Sequence, residues 1–241
     1  MPSKPSIVFA HGLWADGSCF SKVIKLLQAD GHEVIATQNQ LNSVEDDAAA
    51  VRTSFNRVSG PIVLVGHSYG GTVITAAGTD ERVGALVYIC AIAPDEGETS
   101  QAEQDKHPAT AVFNNVELVD GRVWLKPSGT AEFCGDLSDE EQKLVFATQG
   151  APLVELFAQP VRGAAWKTKP TYYILGLDDR TVHPELQRFV SKRMNAKVTE
   201  LQSSHVPMLS QPQRVYEVIR EAAESISQRA EPAQEPILTV S

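Results

Sequence analysis

One sequence feature constrains the fold of this chain most: an apolar segment that leads directly into a serine flanked by glycines. Residues 60–65 (GPIVLV) lead directly into residues 66–70 (GHSYG), and residues 71–77 (GTVITAA) follow. This order predicts a strand, a sharp turn and a helix, in which a strained turn lifts one serine hydroxyl clear of the backbone. A side chain at either glycine would collide with the neighbouring strand or helix. We therefore interpret Ser68 as a catalytic nucleophile, with an ordinary glycine-rich turn as the alternative.

Length and composition fit one domain with a sizeable core and an insertion. The chain has 241 residues, of which 42% are hydrophobic, and this is enough for a single core. Its formal net charge is -9, and no run of Lys or Arg interrupts the sequence. An acidic chain of this kind argues against nucleic acid or an anionic membrane surface as a partner.

The N-terminus and the cysteines indicate the compartment. The first apolar stretch is too short for a secretion signal, and no apolar run approaches the ~20 residues that span a bilayer. We therefore expect a cytoplasmic protein. The three cysteines, Cys19, Cys90 and Cys134, are odd in number and widely spaced, which predicts neither a disulfide framework nor a metal site. Cys90 lies in an apolar run and is predicted to be a small core residue.

Strand patterns alternate with helical patterns along most of the chain. Six strand candidates lie at residues 7–10, 33–36, 62–65, 85–91, 171–176 and 198–201. Most of the segments between them carry apolar residues at helical spacing, and a last helical pattern covers residues 213–227. Repeated strand–helix units predict an α/β fold with a six-stranded, mostly parallel sheet and helices on both faces.

The alternation stops after Pro94. Residues 95–168 mix Pro, Gly and acidic residues, and aromatic residues occur there at wide intervals: Trp124, Phe133, Phe146, Phe157 and Trp166. We interpret residues 95–168 as a cap inserted over the carboxyl ends of the strands, with its aromatic residues either lining the pocket or forming the cap's own core. The core then comprises residues 1–94 and 169–227, and residues 228–241 are predicted to form a loose tail.

A serine nucleophile needs two partners further along the chain. The hydroxyl requires an adjacent base, and the base requires a third group that fixes its tautomer. In this architecture the chain order is serine, acid, histidine. His205 follows the last strand and is the only one of the six histidines in that position. Asp178 and Asp179 both follow the preceding strand, and the pattern alone does not choose between them.

An acyl-transfer site also needs N–H donors aimed at the developing negative charge. One donor would be the backbone N–H of Tyr69, directly after the nucleophile. The other would come from the loop after the first strand, residues 11–14 (HGLW). We interpret His11 as a structural residue that hydrogen-bonds this loop. Trp14 either lines the mouth of the pocket or packs under the cap.

Four segments of the chain carry a family resemblance: residues 9–14 (FAHGLW), 66–71 (GHSYGG), 179–189 (DRTVHPELQRF) and 203–212 (SSHVPMLSQP). With them the chain resembles the α/β-hydrolase superfamily, and within it the small-cap branch of plant methyl esterases, hydroxynitrile lyases and their bacterial esterase-like relatives. In that branch the catalytic aspartate precedes a Pro-Glu-x-Gln segment by five residues, which implies Asp179 here. The resemblance also implies Leu13 and Tyr69 as oxyanion donors, and no metal or organic cofactor.

The resemblance implies two alternative chemistries. Lyases of this branch tend to carry a threonine directly after the first-strand histidine and a lysine directly after the catalytic histidine. This chain has Gly12 and Val206 at those positions. We therefore favour ester hydrolysis, and we expect Gly12, Trp14 and Val206 to contact the substrate.

Together these observations predict a serine hydrolase that cleaves small hydrophobic carboxylic esters through an acyl-enzyme intermediate. Ser68 would be the nucleophile, His205 the base and Asp179 its orienting acid. Two alternatives stay open: lyase or cofactor-free carbon–carbon chemistry on the same triad, and a ligand-binding relative that does not catalyse. The oligomeric state also stays open, with a homodimer as one option.

Overall fold

A single parallel sheet forms the core of the protein. The computed structural model describes residues 4–230. Its strands are β1 (Ser6–Ala10), β2 (Val34–Thr37), β3 (Ile62–His67), β4 (Val83–Ile89), β5 (Val116–Val119), β6 (Arg122–Leu125), β7 (Thr171–Gly176) and β8 (Lys197–Leu201). Six of them pair in parallel in the order β2-β1-β3-β4-β7-β8, and β5 and β6 form a separate antiparallel hairpin. The predicted six-stranded sheet is thus confirmed.

The sheet positions its carboxyl-terminal loops at one edge. Every residue of β1, β3 and β7 is buried, as continuous apolar strands with both faces covered should be. Because all six strands run in the same direction, the loops after β1, β3, β7 and β8 leave the sheet at the same edge. That edge is where open parallel sheets bind their ligands.

Helices cover both faces of the sheet. They are α1 (Ser21–Ala29), α2 (Val44–Phe55), α3 (Gly70–Ala77), α4 (Ser100–Gln104), α5 (Thr130–Cys134), α6 (Asp139–Ala147), α7 (Pro184–Arg193), α8 (Pro207–Ser210) and α9 (Pro212–Ala230). Helix α1 packs against α9, and α2 packs against α3. Ser43 caps α2 by accepting a hydrogen bond from the backbone N–H of Asp46 at 3.0 Å, which satisfies one of the free donors of the first turn.

The last helix is longer than its sequence pattern indicates. Helix α9 includes residues 228–230, which we predicted as the start of a loose tail. The rest of that predicted tail, residues 231–241, lies outside the described part of the chain. Within residues 4–230, no helix has the length and the apolar character that crossing a membrane requires.

The chain between β4 and β7 is built from short elements. It contains α4, the β5–β6 hairpin, α5 and α6, joined by loops and short 3-10 turns. Helix α6 begins with a capping box in which Ser138 and Glu141 bond each other's backbone N–H, yet none of its residues is buried. Elements this short bury too few residues to leave a clear periodicity, which is why the sequence indicated only an insertion. The boundaries at 94/95 and 168/169 stay a sequence prediction.

A buried ion pair connects this insertion to the core. The Glu103 carboxylate, fully buried in α4, meets the Arg193 guanidinium of α7 at 2.5 Å and accepts a bond from the Ala93 N–H at 2.9 Å. Glu98 meets the same guanidinium at 2.8 Å. Burial raises the pKa of Glu103 to about 7, although Arg193 favours its charged form. Arg193 therefore stabilises the charged form of Glu103, and without Arg193 that charge would be buried and unpaired.

Replacing Arg193 with alanine should lower the free energy of unfolding by about 3–5 kcal/mol at pH 8, because it leaves the Glu103 carboxylate buried and unpaired. The loss should be smaller at pH 5. The folded-state pKa of Glu103 lies above its ordinary value of 4.5, so the folded protein holds this proton at pH 5 and the neutral carboxyl needs no cation. Urea unfolding of both proteins at the two pH values measures the difference.

The same measurement has a control on the same helix. Arg188 pairs with Glu185 at 2.8 Å, and both side chains are exposed. Exposed pairs of this kind contribute about 0–1 kcal/mol, so Arg188→Ala should change stability little at either pH. An Arg193→Ala loss that is as large at pH 5 as at pH 8 would contradict the assigned role of Glu103.

Candidate active site

Ser68 occupies a strained turn between β3 and α3. Its φ of 55° lies in the left-handed region, which non-glycine residues adopt at a cost of about 1–3 kcal/mol, most often at functional sites. The turn fits only because its neighbours lack side chains. A Cβ at Gly70 would lie 2.1 Å from the Ala10 carbonyl oxygen, and one at Gly66 would lie 2.5 Å from the Gly70 oxygen. The sequence motif thus folds into the sharp turn that it predicts.

His205 and Asp179 form a buried hydrogen-bonded couple. His205 Nδ1 lies 2.7 Å from Asp179 Oδ2, and both side chains are fully buried. His205 follows β8 and Asp179 follows β7, so the two loops that leave neighbouring strands supply the pair. The other nitrogen of His205, Nε2, bonds no group within residues 4–230. The Ser68 hydroxyl is therefore not hydrogen-bonded to Nε2 in this structure.

Asp179, and not Asp178, faces the histidine. Asp178 is exposed and accepts a hydrogen bond from the Gln202 amide at 2.6 Å. The choice that the strand pattern left open, and that the resemblance resolved toward Asp179, thus agrees with the geometry. Asp179 is 4% exposed, whereas Asp178, in the turn that follows β7, is exposed.

Each oxygen of Asp179 already accepts two hydrogen bonds. Oδ1 accepts from the N–H groups of Thr181 at 2.7 Å and Val182 at 3.0 Å. Oδ2 accepts from His205 and from the side-chain amide of Gln187 at 2.7 Å. Four donors fix the orientation of the carboxylate. Gln187 is the glutamine of the Pro-Glu-x-Gln segment. The sequence does not predict that this glutamine donates to the aspartate.

Two further side chains hold the loop that carries His205, and the sequence assigns this role to neither. His67 Nε2 donates to the backbone carbonyl of His205 at 2.8 Å, and the two rings lie 4.7 Å apart. Burial lowers the pKa of His67 well below its usual range, so this ring is neutral. From the insertion, Asp136 accepts from the N–H of Ser204 at 3.0 Å and from its hydroxyl. His67 adjoins Ser68, so its bond joins the serine turn to the histidine loop.

The predicted oxyanion donors lie beside the serine turn. Within the described residues, neither the Leu13 nor the Tyr69 N–H donates to another group, so both can bind a substrate oxygen. Gly12 packs directly on Ser68, since a Cβ there would lie 2.6 Å from Ser68 Cβ. The Tyr69 hydroxyl donates to the buried Asp47 carboxylate at 2.9 Å. Asp47 therefore anchors the turn from α2.

The loop after β1 is held by its histidine. His11 Nδ1 lies 2.9 Å from the Gly12 carbonyl oxygen, and His11 Nε2 accepts from the N–H of Asn39 at 2.8 Å. Burial lowers the pKa of His11. A neutral ring with both nitrogens occupied fits the structural role that we predicted and leaves no atom for proton transfer.

A small apolar pocket adjoins Ser68. Its volume is about 20 Å³, which is room for about one water molecule. Most of its walls are apolar side chains from the core and the insertion: Leu13, Trp14, Ile92, Phe113, Leu156, Phe157 and Val182. Trp14 both lines this pocket and packs under the insertion, because its ring N–H donates to the Val123 carbonyl of β6 at 2.8 Å. The two roles left open for Trp14 thus coexist.

Other predicted residues lie next to this pocket rather than on its wall. Gly12 packs against Ser68, and Val206 lines a separate cavity of about 140 Å³ together with Phe133. Phe133 packs edge-on against the His205 ring at 5.1 Å. Of the five aromatic residues noted in the insertion, Phe157 reaches the pocket and Phe133 supports the histidine. Phe113, which the sequence did not single out, also lines the pocket.

Cys90 brings a thiol close to the couple. Ligand-type atoms of Cys90, Asp179 and His205 lie within 4.8 Å of one another. Burial, and then the Asp179 carboxylate, raise the pKa of this thiol well above its usual range. Cys90 is fully buried beside the couple, which fits the small core residue that the sequence predicts.

Comparison with known proteins identifies the family of this chain. A family model described as the Alpha/beta hydrolase family matches residues 7–218. The chain belongs to the alpha/beta hydrolase family. Among curated relatives of this hydrolase, a pyrethroid hydrolase of Sphingobium wenxiniae is 27% identical over 255 residues, covering 91% of this chain and 88% of the relative. Methylesterase 8 of Arabidopsis thaliana is 23% identical over 253 residues, covering 93% of this chain and 91% of the relative.

Solved structures share the fold of this alpha/beta hydrolase. A crystal structure of polyneuridine aldehyde esterase superimposes with a TM-score of 0.77 at 19% identity, over 90% of this chain and 98% of that one. At that identity the likeness concerns the fold alone. The family match and the names of the relatives confirm the prediction of an esterase-like alpha/beta hydrolase.

Proposed function

We propose that this hydrolase cleaves carboxylic esters through an acyl-enzyme on Ser68. The observation that carries the proposal is the 2.7 Å hydrogen bond between His205 Nδ1 and Asp179 Oδ2. Because Nδ1 carries the ring proton and donates a hydrogen bond to the carboxylate, Nε2 of the neutral ring keeps a lone pair. A base in this form is what a serine hydroxyl needs to become a nucleophile at neutral pH.

Acylation uses the three side chains in turn. Ser68 Oγ bonds to the ester carbonyl carbon while His205 Nε2 takes the hydroxyl proton. Asp179 stabilises the resulting imidazolium, and the N–H groups of Leu13 and Tyr69 bind the oxyanion. When the tetrahedral intermediate collapses, the carbon–oxygen bond to the alcohol breaks and His205 returns the proton to the leaving oxygen. The products of this half-reaction are the alcohol and acyl-Ser68.

Deacylation repeats these steps with water. His205 Nε2 removes a proton from water, the hydroxide bonds to the acyl carbon, and the same two N–H groups bind the oxyanion. Collapse releases the carboxylic acid and returns the proton to Ser68. No group outside the described site is needed, in line with the cofactor-free chemistry that the resemblance implies.

The apolar pocket supports a hydrophobic ester as the substrate. Leu13, Trp14 and Phe157 offer no charge to a ligand, and apolar walls with a few polar groups are typical of small-molecule sites. The names of the pyrethroid hydrolase and methylesterase relatives also support ester substrates. A cytoplasmic location, independence of membranes and nucleic acids, and the option of a homodimer stay predictions.

Lyase chemistry is the nearest alternative on the same triad. A leaving cyanide would need a cation, and the lyases of this branch tend to supply a lysine after the catalytic histidine. This chain has Val206 there, fully buried and without a charge. The uncharged side chain at position 206 supports hydrolysis over lyase chemistry.

A panel of aryl and alkyl esters assayed beside cyanohydrins tests the reaction class. We expect one equivalent of acid and one of alcohol from the esters, and no cyanide above background from mandelonitrile. Release of cyanide and aldehyde without ester cleavage would assign the lyase reaction instead. Saturable binding without turnover of any compound would indicate a ligand-binding relative.

A further inference from the structure

The pocket at Ser68 is too small for most esters by itself. Its volume of about 20 Å³ accommodates the reacting carbonyl and little more, since one water already needs about 10–15 Å³. The remaining part of a substrate must lie in a neighbouring space. The structure offers such a space on the side of the insertion that α4 forms.

A larger outer cavity shares a wall with this pocket. Its volume is about 260 Å³, and Gln104, Phe113 and Thr181 line both spaces. Phe113 is 37% exposed and meets the Trp14 ring edge-on at 6.2 Å. One aromatic side chain therefore stands between the reacting carbonyl and the outer cavity.

The walls of the outer cavity are fixed to the loop of the catalytic acid. The Thr110 hydroxyl donates to the Thr181 carbonyl at 2.8 Å, and the Val112 N–H donates to the Arg180 carbonyl at 3.3 Å. Thr181 in turn binds the Asp179 carboxylate. The cavity is thus a built feature that is continuous with the active site.

Side chains that can donate hydrogen bonds line the outer cavity. The rings of His107 and His183, which both line it, stack with centroids 6.0 Å apart. His183 Nδ1 accepts from the Glu185 N–H at 3.2 Å, so in the neutral ring the proton is on Nε2 and that atom can donate. The Gln104 amide adds a second donor to this wall. These groups match an oxygen acceptor on a ligand.

The charge around the outer cavity disfavours an anion. Asp105 lines the cavity, and its carboxylate is held by the Gln101 amide at 2.7 Å. Within the described residues that line this cavity, no Lys or Arg is present to pair with a ligand carboxylate. The donors are therefore suited to an uncharged hydroxyl, carbonyl or ether oxygen.

We propose that the outer cavity binds the part of the substrate remote from the scissile bond, and that this part carries an uncharged oxygen substituent. The inference rests on the proposed ester hydrolysis at Ser68 and deepens it. It assigns a specificity site to His107 and His183, which take no part in the chemical step. Substrates of this hydrolase would place a small alcohol group and the carbonyl at Ser68 and extend an oxygen-bearing acyl part past Phe113.

Matched methyl esters test this inference. Methyl esters of arylacetic, 3-arylpropanoic and 4-arylbutanoic acids are compared with a para-hydroxyl, a para-methyl or a para-carboxylate on the ring. For at least one chain length, kcat/KM should be roughly 3–10-fold higher for the hydroxyl than for the methyl compound, as one net hydrogen bond gives. The carboxylate compound should be the poorest of the three.

Two variants connect the preference to the histidines. His183→Asn keeps an acceptor at the N-terminus of α7 while removing the imidazole, and His107→Leu removes the facing ring. Each should bring the hydroxyl-to-methyl ratio toward 1, mainly through KM. Gln28→Leu, at an exposed position of α1 that lines neither cavity, should leave the ratio unchanged.

The outcomes separate this inference from the proposed function. Ester hydrolysis with equal rates for hydroxyl and methyl compounds at every chain length, or a preference that both variants retain, overturns the inference and leaves the hydrolase intact. If no ester is cleaved, the proposed function fails, and calorimetric binding of the N-methyl amide analogues decides on the cavity alone. Tighter binding of the hydroxyl amide by wild type than by His183→Asn then supports the site, and equal binding refutes it.

Discussion

Replacing Ser68 with alanine should abolish ester turnover. Without the hydroxyl there is no acyl-enzyme, and kcat on an activated ester should fall by on the order of 10⁴- to 10⁶-fold, the range seen when a nucleophile is removed from such a triad. The remaining rate would come from oxyanion binding and from positioning of the ester. Initial rates of release of an aryl alcohol, measured at saturating ester, give the comparison.

This variant should fold normally, which makes the test clean. Ser68 adopts a φ of 55°, and alanine at the same position carries similar strain, so the melting temperature should differ little from that of wild type. Equal melting curves with lost turnover support a chemical role. Turnover that persists in Ser68→Ala at more than a few per cent would rule out Ser68 as the nucleophile.

Replacing Asp179 with asparagine should lower kcat by about 10⁴-fold, as in other triads whose acid is made neutral. The cause follows from the hydrogen bonds. The Thr181 and Val182 N–H groups require an oxygen at Oδ1, so the asparagine NH₂ must face Gln187 and His205. A donor facing His205 Nδ1 forces the ring proton onto Nε2. The base then has no lone pair toward the nucleophile.

Asp178 supplies a matched control at the next position. Asp178→Asn changes the same group, but at an exposed carboxylate that bonds only the Gln202 amide within the described residues. We expect kcat within about 2-fold of wild type, because surface substitutions of this kind have small effects. Equal losses in both variants would contradict the assignment of Asp179, and a greater loss in Asp178→Asn would reverse it.

The sequence predicts the turn that carries Ser68 because sharp turns need particular residues. Gly66 and Gly70 lie where a Cβ would touch backbone atoms, so the strained turn leaves a readable motif. Strand ends then determine where His205 and the two candidate aspartates occur. The choice of Asp179 needed the family resemblance, because a strand pattern does not report which of two consecutive side chains points inward.

The supporting groups could not be predicted because their contacts join distant parts of the chain. His67 reaches His205 across 138 positions, and Asp136 reaches Ser204 across 68. Neither contact has a local pattern that a sequence could reveal. In the sequence, Arg193 resembles a surface residue of α7, and only the structure shows its contact with the buried Glu103.

The insertion is the part that the sequence described least. Its helices and strands are short, and α6 buries none of its residues. The sequence of the insertion therefore lacks the apolar periodicity that would distinguish it from a loop. The outer cavity beside Phe113 depends on how this insertion packs on the loop after β7. The substrate preference that we propose therefore depends on the region with the weakest sequence signal.

The central claim is that Ser68 is a nucleophile activated by His205. Intact-protein mass spectrometry after treatment with an alkyl fluorophosphonate tests it most directly, because the serine oxygen displaces fluoride and keeps the phosphonyl group. We predict that wild type gains one phosphonyl group on the peptide that contains Ser68, and that Ser68→Ala gains none. An unlabelled wild type, or labelling of both proteins at the same rate, would contradict the account.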